Sequence, residues 1–182
     1  MRLRRIVQRL KNHFELFGLQ PAYALETEQL ERAYREIQAR IHPDRFAHAG
    51  DAERRASMQW TTRVNEAYRI LKSPVQRGKY LLGLQGVDVA FETNTAMPAE
   101  FLAQQMEWRE QLEEALEGKD AAALDRLRAR LQADRRALEA RIAERIDRQQ
   151  DPAGAADLVR RLMFLEKFDA DLDAGFETIE SS

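Results

Sequence analysis

Apolar residues in the first half of the chain form two long stripes at helical spacing, separated by a short polar loop. After Thr27, a predicted N-cap, the first stripe consists of Leu30, Ala33, Tyr34, Ile37 and Ile41. Pro43 cannot continue a helix, so this helix is predicted to end at His42. After Asp51, also a predicted N-cap, the second stripe consists of Trp60, Val64, Ala67, Tyr68 and Leu71. A loop of about nine residues makes the two helices antiparallel neighbours.

A third helix is predicted to begin at Pro74, with Ser73 as its cap, because proline is favoured in the first helical turn. Residues 83–97 lose the helical period and contain a Thr-Asn-Thr cluster, which is typical of a connector between domains. Three more helices are predicted over 98–117, 120–149 and 155–172. The middle one keeps a single stripe of Leu124, Leu127, Leu131, Leu138 and Ile142. The pattern predicts an all-α protein, in which an antiparallel helical hairpin with short flanking helices precedes a three-helix bundle.

The first helix of the predicted bundle has more apolar residues than one buried stripe needs. At about 100° per residue, its core side consists of Phe101, Gln105, Trp108, Leu112, Ala115 and Leu116. Leu102 and Met106 point away from that side, where the carboxylates are Glu107, Glu110 and Glu114. Exposed apolar side chains framed by charges are typical of a recognition face.

The last helix has one aromatic residue outside its apolar stripe. Its core is predicted to consist of Leu158, Leu162, Leu165 and Leu172, and Phe164 lies about 120° from that stripe. Packing on the connector or on the other domain is the ordinary explanation for such a residue, and a place in the recognition face is the other.

The composition fits a helical chain with two differently charged halves. Of 182 residues, 33% are charged and 44% hydrophobic, and the absence of cysteine excludes disulfides and thiol chemistry. No apolar run reaches the roughly eighteen residues of a membrane-spanning helix. The net charge of −2 hides a balance of +7 over residues 1–82 and of −9 over residues 83–182. The two halves are therefore expected to meet different partners, or each other.

No constellation in the sequence indicates enzyme chemistry. His13, His42 and His48 lack the spacing of metal ligands, and no phosphate loop or nucleophile motif occurs, so neither a metal nor a cofactor is expected. Nucleic-acid binding is disfavoured because carboxylates such as Asp134 interrupt the basic residues of the middle bundle helix. Residues 1–11 are basic and amphipathic, which leaves a targeting segment, a surface-binding helix or a docked extension open.

The most informative segment is His42-Pro43-Asp44. It follows a helix whose outer face carries Arg32 and Arg35, and it precedes a helix that contains the sequence Asn65-Glu66-Ala67-Tyr68-Arg69-Ile70-Leu71. This order resembles the J-domain of DnaJ-type co-chaperones over about residues 12–80. The chain is similar to HscB-type J-domain co-chaperones in particular, through the segments His13-Phe14-Glu15-Leu16-Phe17-Gly18-Leu19, His42-Pro43-Asp44-Arg45-Phe46, Tyr80-Leu81-Leu82, Phe101-Leu102 and Phe164-Leu165-Glu166-Lys167.

The resemblance implies a co-chaperone that is not itself an enzyme. Such a protein activates the ATPase of a DnaK/HscA-type chaperone and brings it an IscU-like iron–sulfur scaffold. The implied chaperone-binding residues are His42, Pro43, Asp44, Arg32, Arg35, Arg40 and Arg45. The implied client-binding residues are Leu102, Met106, Glu107, Glu110, Glu114 and Phe164.

The expected organisation is a basic extension over 1–11, a J-domain over 12–82, a connector over 83–97, a client-binding bundle over 98–176 and a tail over 177–182. We expect a monomer in the bacterial cytoplasm, without nucleic-acid or membrane partners, and leave a mitochondrial relative open. Two alternative functions remain. One is a J-domain co-chaperone of general protein folding with another client, and the other is a helical protein that binds nucleic acid or membrane through residues 1–11.

Overall fold

The computed structural model describes residues 12–46, 49–89 and 98–181. Its helices are α1 (His13–Leu16), α2 (Thr27–Ile41), a 3₁₀ helix (Pro43–Phe46), α3 (Asp51–Lys72), α4 (Pro74–Leu84), α5 (Ala99–Glu117), α6 (Ala121–Ala143), a π-helix (Glu144–Arg148) and α7 (Pro152–Glu180). No strand occurs in these three ranges, so the predicted all-α class is confirmed. None of the helices described there is long and apolar enough to cross a membrane.

The chain divides into two compact units between Leu81 and Leu82. Three parts of the sequence interpretation fall outside the described residues: the basic segment 1–11, His48, and residues 90–97 of the predicted connector.

The first unit is built on the antiparallel pair α2 and α3. Contacts between the two helices pair early residues of α2 with late residues of α3, as the predicted hairpin requires. The Tyr34 ring stacks on the Tyr68 ring with centroids 4.0 Å apart, and the Tyr34 hydroxyl donates to Asn65 Oδ1 at 3.0 Å. Lys72 Nζ donates to the Tyr68 hydroxyl at 3.1 Å and to Glu31 at 3.3 Å, and these bonds raise the pKa of Lys72. Polar groups at the half-buried and exposed edge of the pair thus join helices whose buried residues, such as Leu30, Val64, Ala67 and Leu71, are apolar.

Two helices in this unit begin one residue earlier than the sequence predicts. Thr27 and Asp51 are the first helical residues of α2 and α3, and the N-cap positions belong to Glu26 and Gly50, neither of which makes a side-chain cap bond. The prediction for α4 is confirmed, because Pro74 is its first residue and the Ser73 hydroxyl accepts a bond from the Gln76 N–H at 3.2 Å.

Two contacts fasten the remaining segments of the first unit. The His13 N–H donates to the Tyr80 hydroxyl at 2.8 Å, and the His13 and Tyr80 rings stack with centroids 4.3 Å apart. Arg77, only 8% exposed, donates from Nε to the Tyr23 carbonyl at 2.8 Å and from Nη1 to the Leu71 carbonyl at 2.6 Å. This buried arginine therefore holds the loop before α2 against the junction of α3 and α4, a role that its sequence position did not reveal.

The second unit is a bundle of α5, α6 and α7. All five residues of the predicted α6 stripe are buried, and so are the four predicted core leucines of α7. Gly175 of α7 lies close to side chains of both other helices, since a Cβ built there would meet Leu116 Cδ2 at 3.3 Å and Leu124 Cδ1 at 3.6 Å. The buried arc of α7 is consequently wider than one stripe.

The bounds of α7 differ from the predicted range 155–172. The helix begins at Pro152, because the Asp151 side chain accepts the Gly154 N–H at 2.9 Å and caps the first turn. That bond and the Arg145 guanidinium lower the pKa of Asp151. At the other end the helix continues to Glu180, so residues 177–180 of the predicted tail are helical.

Candidate functional site

The predicted chaperone-binding turn, hereafter the HPD turn (His42, Pro43 and Asp44), projects from the end of α2. Because Pro43 disfavours a helical conformation in the residue before it, α2 stops at Ile41 and His42 takes a ψ of 132°. The Asp44 side chain is 89% exposed, and among the described residues the basic side chain near its carboxylate is that of His42, whose Nδ1 lies 3.4 Å from Oδ2. The turn therefore offers a carboxylate whose oxygens remain available to a partner.

Two hydrogen bonds hold the base of the HPD turn. The Ser57 hydroxyl of α3 donates to the Ile41 carbonyl at 2.6 Å, and Arg45 Nη1 donates to the Ala39 carbonyl at 2.9 Å. Both satisfy carbonyls of the last helical turn, which have no partner within the helix. Arg45, predicted as a chaperone contact, thus caps α2. Sequence reasoning missed Ser57, although it lies seven residues before the buried Val64 on the same side of α3.

Exposed cations line the outer side of α2. Arg32, Arg35 and Arg40 are all exposed, and no ion pair is formed by any of them within the described part of the chain. We call these three residues the basic face. Their guanidinium groups are free to attract an acidic surface, because none of them is held in an ion pair.

The predicted recognition side of α5 is exposed, as expected. Leu102 is 45% and Met106 63% exposed, whereas Phe101 and Trp108 on the core side are buried. We call the exposed side the client face; it consists of Leu102, Met106, Glu107, Glu110 and Glu114.

One carboxylate of the client face is already engaged. Glu107 Oε1 accepts bonds from Arg130 of α6 at 3.1 Å and from Gln111 at 2.9 Å. Glu110 and Glu114 have no such contact within the described residues. These two carboxylates therefore remain available on the surface.

Phe164 does not lie on this surface. Its side chain is only 6% exposed, and its ring meets Phe101 edge-on, with centroids 5.6 Å apart, and stacks on Phe168 at 6.0 Å. The prediction that Phe164 lies outside the bundle core is wrong, because α7 contacts both other helices and so buries a wider arc than one stripe. Phe164 packs against Phe101, which directly precedes Leu102, on the core side of α5.

No three His, Asp or Glu side chains converge as metal ligands within the ranges that the structure describes.

Comparisons with known proteins agree with this geometry. A family profile described as "DnaJ domain" matches residues 12–80, and one described as "HSCB C-terminal oligomerisation domain" matches residues 97–173. The co-chaperone protein HscB homologs of Burkholderia mallei and Burkholderia thailandensis are each 50% identical over 169 residues, which cover 93% of this chain and 96% of theirs. The chain belongs to the HscB family of co-chaperones.

Solved HscB structures share the fold. The chaperone HscB from Vibrio cholerae is 34% identical and gives a TM-score of 0.81, with 92% of this chain and 99% of that chain covered. The human co-chaperone protein HscB is 25% identical and gives a TM-score of 0.85, with 91% and 82% covered. The resemblance drawn from the sequence segments is therefore confirmed, and the chain is a J-domain co-chaperone of the HscB family.

Proposed function

We propose that this HscB-family chain binds an IscU-like iron–sulfur scaffold, delivers it to a DnaK/HscA-type chaperone and stimulates the ATPase of that chaperone. The observation that carries the proposal is the exposed carboxylate of Asp44 in the HPD turn. Hydrogen bonds fix the base of that turn. The client face on α5 gives the same chain a second surface for the scaffold.

The chaperone side of the proposal rests on charge. Asp44 would accept hydrogen bonds from a cationic group of the chaperone, and such charge-assisted bonds are short and directional. Pro43 restricts the backbone that carries Asp44, which lowers the entropy lost on binding. The basic face would attract an acidic surface of the chaperone and raise the rate of encounter, an effect that salt weakens. Arg45 would contribute mainly through the turn that it caps.

The client side rests on exposed apolar area. Burial of a fully exposed side chain contributes about 1.5 to 3 kcal/mol, and since Leu102 is 45% and Met106 63% exposed, covering both contributes about 2 to 3 kcal/mol in total. Association costs about 4 to 15 kcal/mol, so these two side chains alone support only a weak complex. Glu110 and Glu114 would add contacts to a cationic surface of the scaffold. Weak binding suits a delivery factor, because the scaffold has to be released to the chaperone.

The test measures ATP hydrolysis by a DnaK/HscA-type chaperone with this chain, with an IscU-like scaffold and with both. We expect the chain alone to raise the rate, and the chain with the scaffold to raise it further than either does separately. Asp44→Asn should abolish the stimulation while leaving scaffold binding in place. Asp125→Asn, the same chemical change at an exposed carboxylate on α6, should stimulate like the wild type. Full stimulation by Asp44→Asn would refute the assignment of the turn.

A further inference from the structure

A small cavity of about 160 Å³ lies among α5, α6 and α7, and two arginines line it. Arg141 comes from α6 and Arg161 from α7, and Phe101 and Gln104 of α5 form part of the opposite wall. None of the surfaces assigned above includes Arg141 or Arg161.

Arg161 lacks the partner that comparable arginines have. Its Nε is buried without a hydrogen-bond partner, and its guanidinium lies 5.2 Å from the centre of the Phe101 ring. Arg128 and Arg160 also have a buried Nε without a partner, but their other nitrogens pair with Asp173 and Asp157. No carboxylate pairs with Arg161 among the residues that the structure describes. Because a desolvated guanidinium N–H without an acceptor is costly, an acceptor that reaches the Arg161 guanidinium gains a favourable hydrogen bond.

The second arginine of the cavity also lacks a carboxylate partner. Arg141 is exposed and forms no ion pair in the described ranges. One carboxylate, that of Asp134, lines the cavity, but its side chain accepts a bond from Gln104 at 3.5 Å and is not within ion-pair distance of either arginine. The cavity thus has two cations and one carboxylate on its wall, a net charge of +1 that an additional carboxylate would balance.

The size and chemistry of the cavity select its ligand. Drug-sized ligands and cofactors occupy pockets of roughly 300 to 1,000 Å³, well above this volume. A planar carboxylate fits the fork of an arginine through two parallel hydrogen bonds, which a ring or an amine cannot form. The structure therefore favours the carboxylate group of an Asp or Glu side chain.

We infer that this cavity, the arginine cavity, receives an acidic side chain of the scaffold protein that the client face binds. The inference rests on the proposed function. Gln104 on the wall of the cavity lies three residues before Glu107 of the client face, and residues at this spacing are neighbours on a helix surface, so one partner can reach both. The client face offers carboxylates, whereas the arginine cavity offers cations. Two sites of opposite sign close together fix the orientation of a partner that carries the complementary charges.

Titration calorimetry with an IscU-like scaffold tests the inference on the full chain. We expect Arg141→Gln and Arg161→Gln each to weaken binding roughly tenfold, as for loss of a charge-assisted bond. Arg136→Gln is the matched control, because Arg136 is exposed on α6 and lies outside the cavity. Arg161→Gln also removes the contact with the Phe101 ring, so its thermal unfolding is measured in parallel. Arg141 has no such contact. If Arg161→Gln unfolds, the affinity of Arg141→Gln therefore tests the inference.

Replacing the acidic residues of the scaffold one at a time by Asn or Gln identifies the partner group. One replacement should weaken binding to the wild type but not to Arg161→Gln, the coupling expected of a direct contact. If the wild type does not bind the scaffold, the proposed function fails. If the wild type binds and both arginine variants bind as tightly as Arg136→Gln, the inference about the cavity fails while the proposed function stands. Acetate could also raise the unfolding temperature of the wild type while both arginine variants bind the scaffold with wild-type affinity. That result would overturn the inference as well.

Discussion

The hydroxyl of Ser57 donates a 2.6 Å hydrogen bond to the carbonyl oxygen of Ile41. Ile41 is the last residue of α2, and the HPD turn follows it directly. Ser57 is 4% exposed, so water cannot replace its hydroxyl at that carbonyl. This bond joins α3 to the end of α2 at the place where the functional turn begins.

Ser57→Ala is expected to lower the free energy of unfolding by about 1 to 3 kcal/mol, because it leaves a buried carbonyl without a donor. Urea denaturation followed by circular dichroism measures the loss. Thr62→Ala is the control, since the Thr62 hydroxyl also donates to a backbone carbonyl, that of Met58 at 3.1 Å, but in an exposed position. Its expected effect is within about 0.5 kcal/mol. Equal losses in the two variants would show that burial of the Ser57 bond does not matter.

The burial of Phe164 separates binding from stability on the bundle. Leu102→Ala combined with Met106→Ala should weaken scaffold binding in calorimetry and leave the unfolding midpoint almost unchanged, because both side chains are exposed. Phe164→Ala should instead destabilise the bundle by about 3 to 5 kcal/mol, as for a core aromatic residue.

Met58→Ala controls for the loss of an exposed methionine, since Met58 on α3 is 61% exposed and belongs to the other unit. It should change neither scaffold binding nor stability. A Phe164→Ala variant with wild-type stability would mean that this side chain is not part of the core.

Periodicity predicted the helices well because burial selects side chains every three to four residues. The α6 stripe from Leu124 to Ile142 is buried at every predicted position. The HPD turn was also predictable, since Pro43 stops a helix by its own covalent structure.

The wrong predictions and the missed contacts both depend on residues that are distant in the sequence. Phe164 lies off the leucine stripe of its helix, and its burial requires knowing that α7 contacts two helices. Ser57 and Arg77 donate to backbone carbonyls of distant residues, and a carbonyl has no signature in sequence. Thr27 and Asp51 have the right chemistry for N-caps, but each helix includes them as its first residue.

Burial of His13 predicts a pH dependence of the first unit. Burial against Tyr80, together with Arg63, lowers the pKa of His13 below its ordinary 6.5, and Glu66 opposes the shift only in part. Because the folded pKa is the lower one, the unfolded chain binds more protons as pH falls below about 6.5. Stability should therefore decrease as the pH is lowered through that value and level off below the folded pKa.

His13→Phe keeps a ring against Tyr80 and removes the titration, so its stability should depend less on pH between about 5.5 and 7.5. Urea denaturation at several pH values gives the comparison. A His13→Phe curve parallel to the wild-type curve would show that another group titrates.

Lys119 closes α5 in a conformation that suits glycine. Its N–H bonds the Leu116 carbonyl at 3.2 Å and the Asp120 N–H bonds the Ala115 carbonyl at 2.8 Å, as in a Schellman motif, and its φ is 48°. The same pattern follows α1, where the left-handed residue is Gly18 with a φ of 67°. A left-handed side chain costs roughly 1 to 2 kcal/mol, whereas the extra unfolded-state entropy of glycine costs about 0.5 to 1 kcal/mol.

Lys119→Gly should therefore stabilise the second unit by about 0.5 to 1 kcal/mol in urea denaturation. Lys167→Gly makes the same chemical change at an exposed position inside α7, where the backbone is helical. There glycine should destabilise by about 1 kcal/mol, because it gains nothing from a left-handed conformation. If the changes in the free energy of unfolding have opposite signs in the two variants, the backbone effect is separated from the loss of a lysine. A loss of stability in both variants would contradict a strained backbone at Lys119.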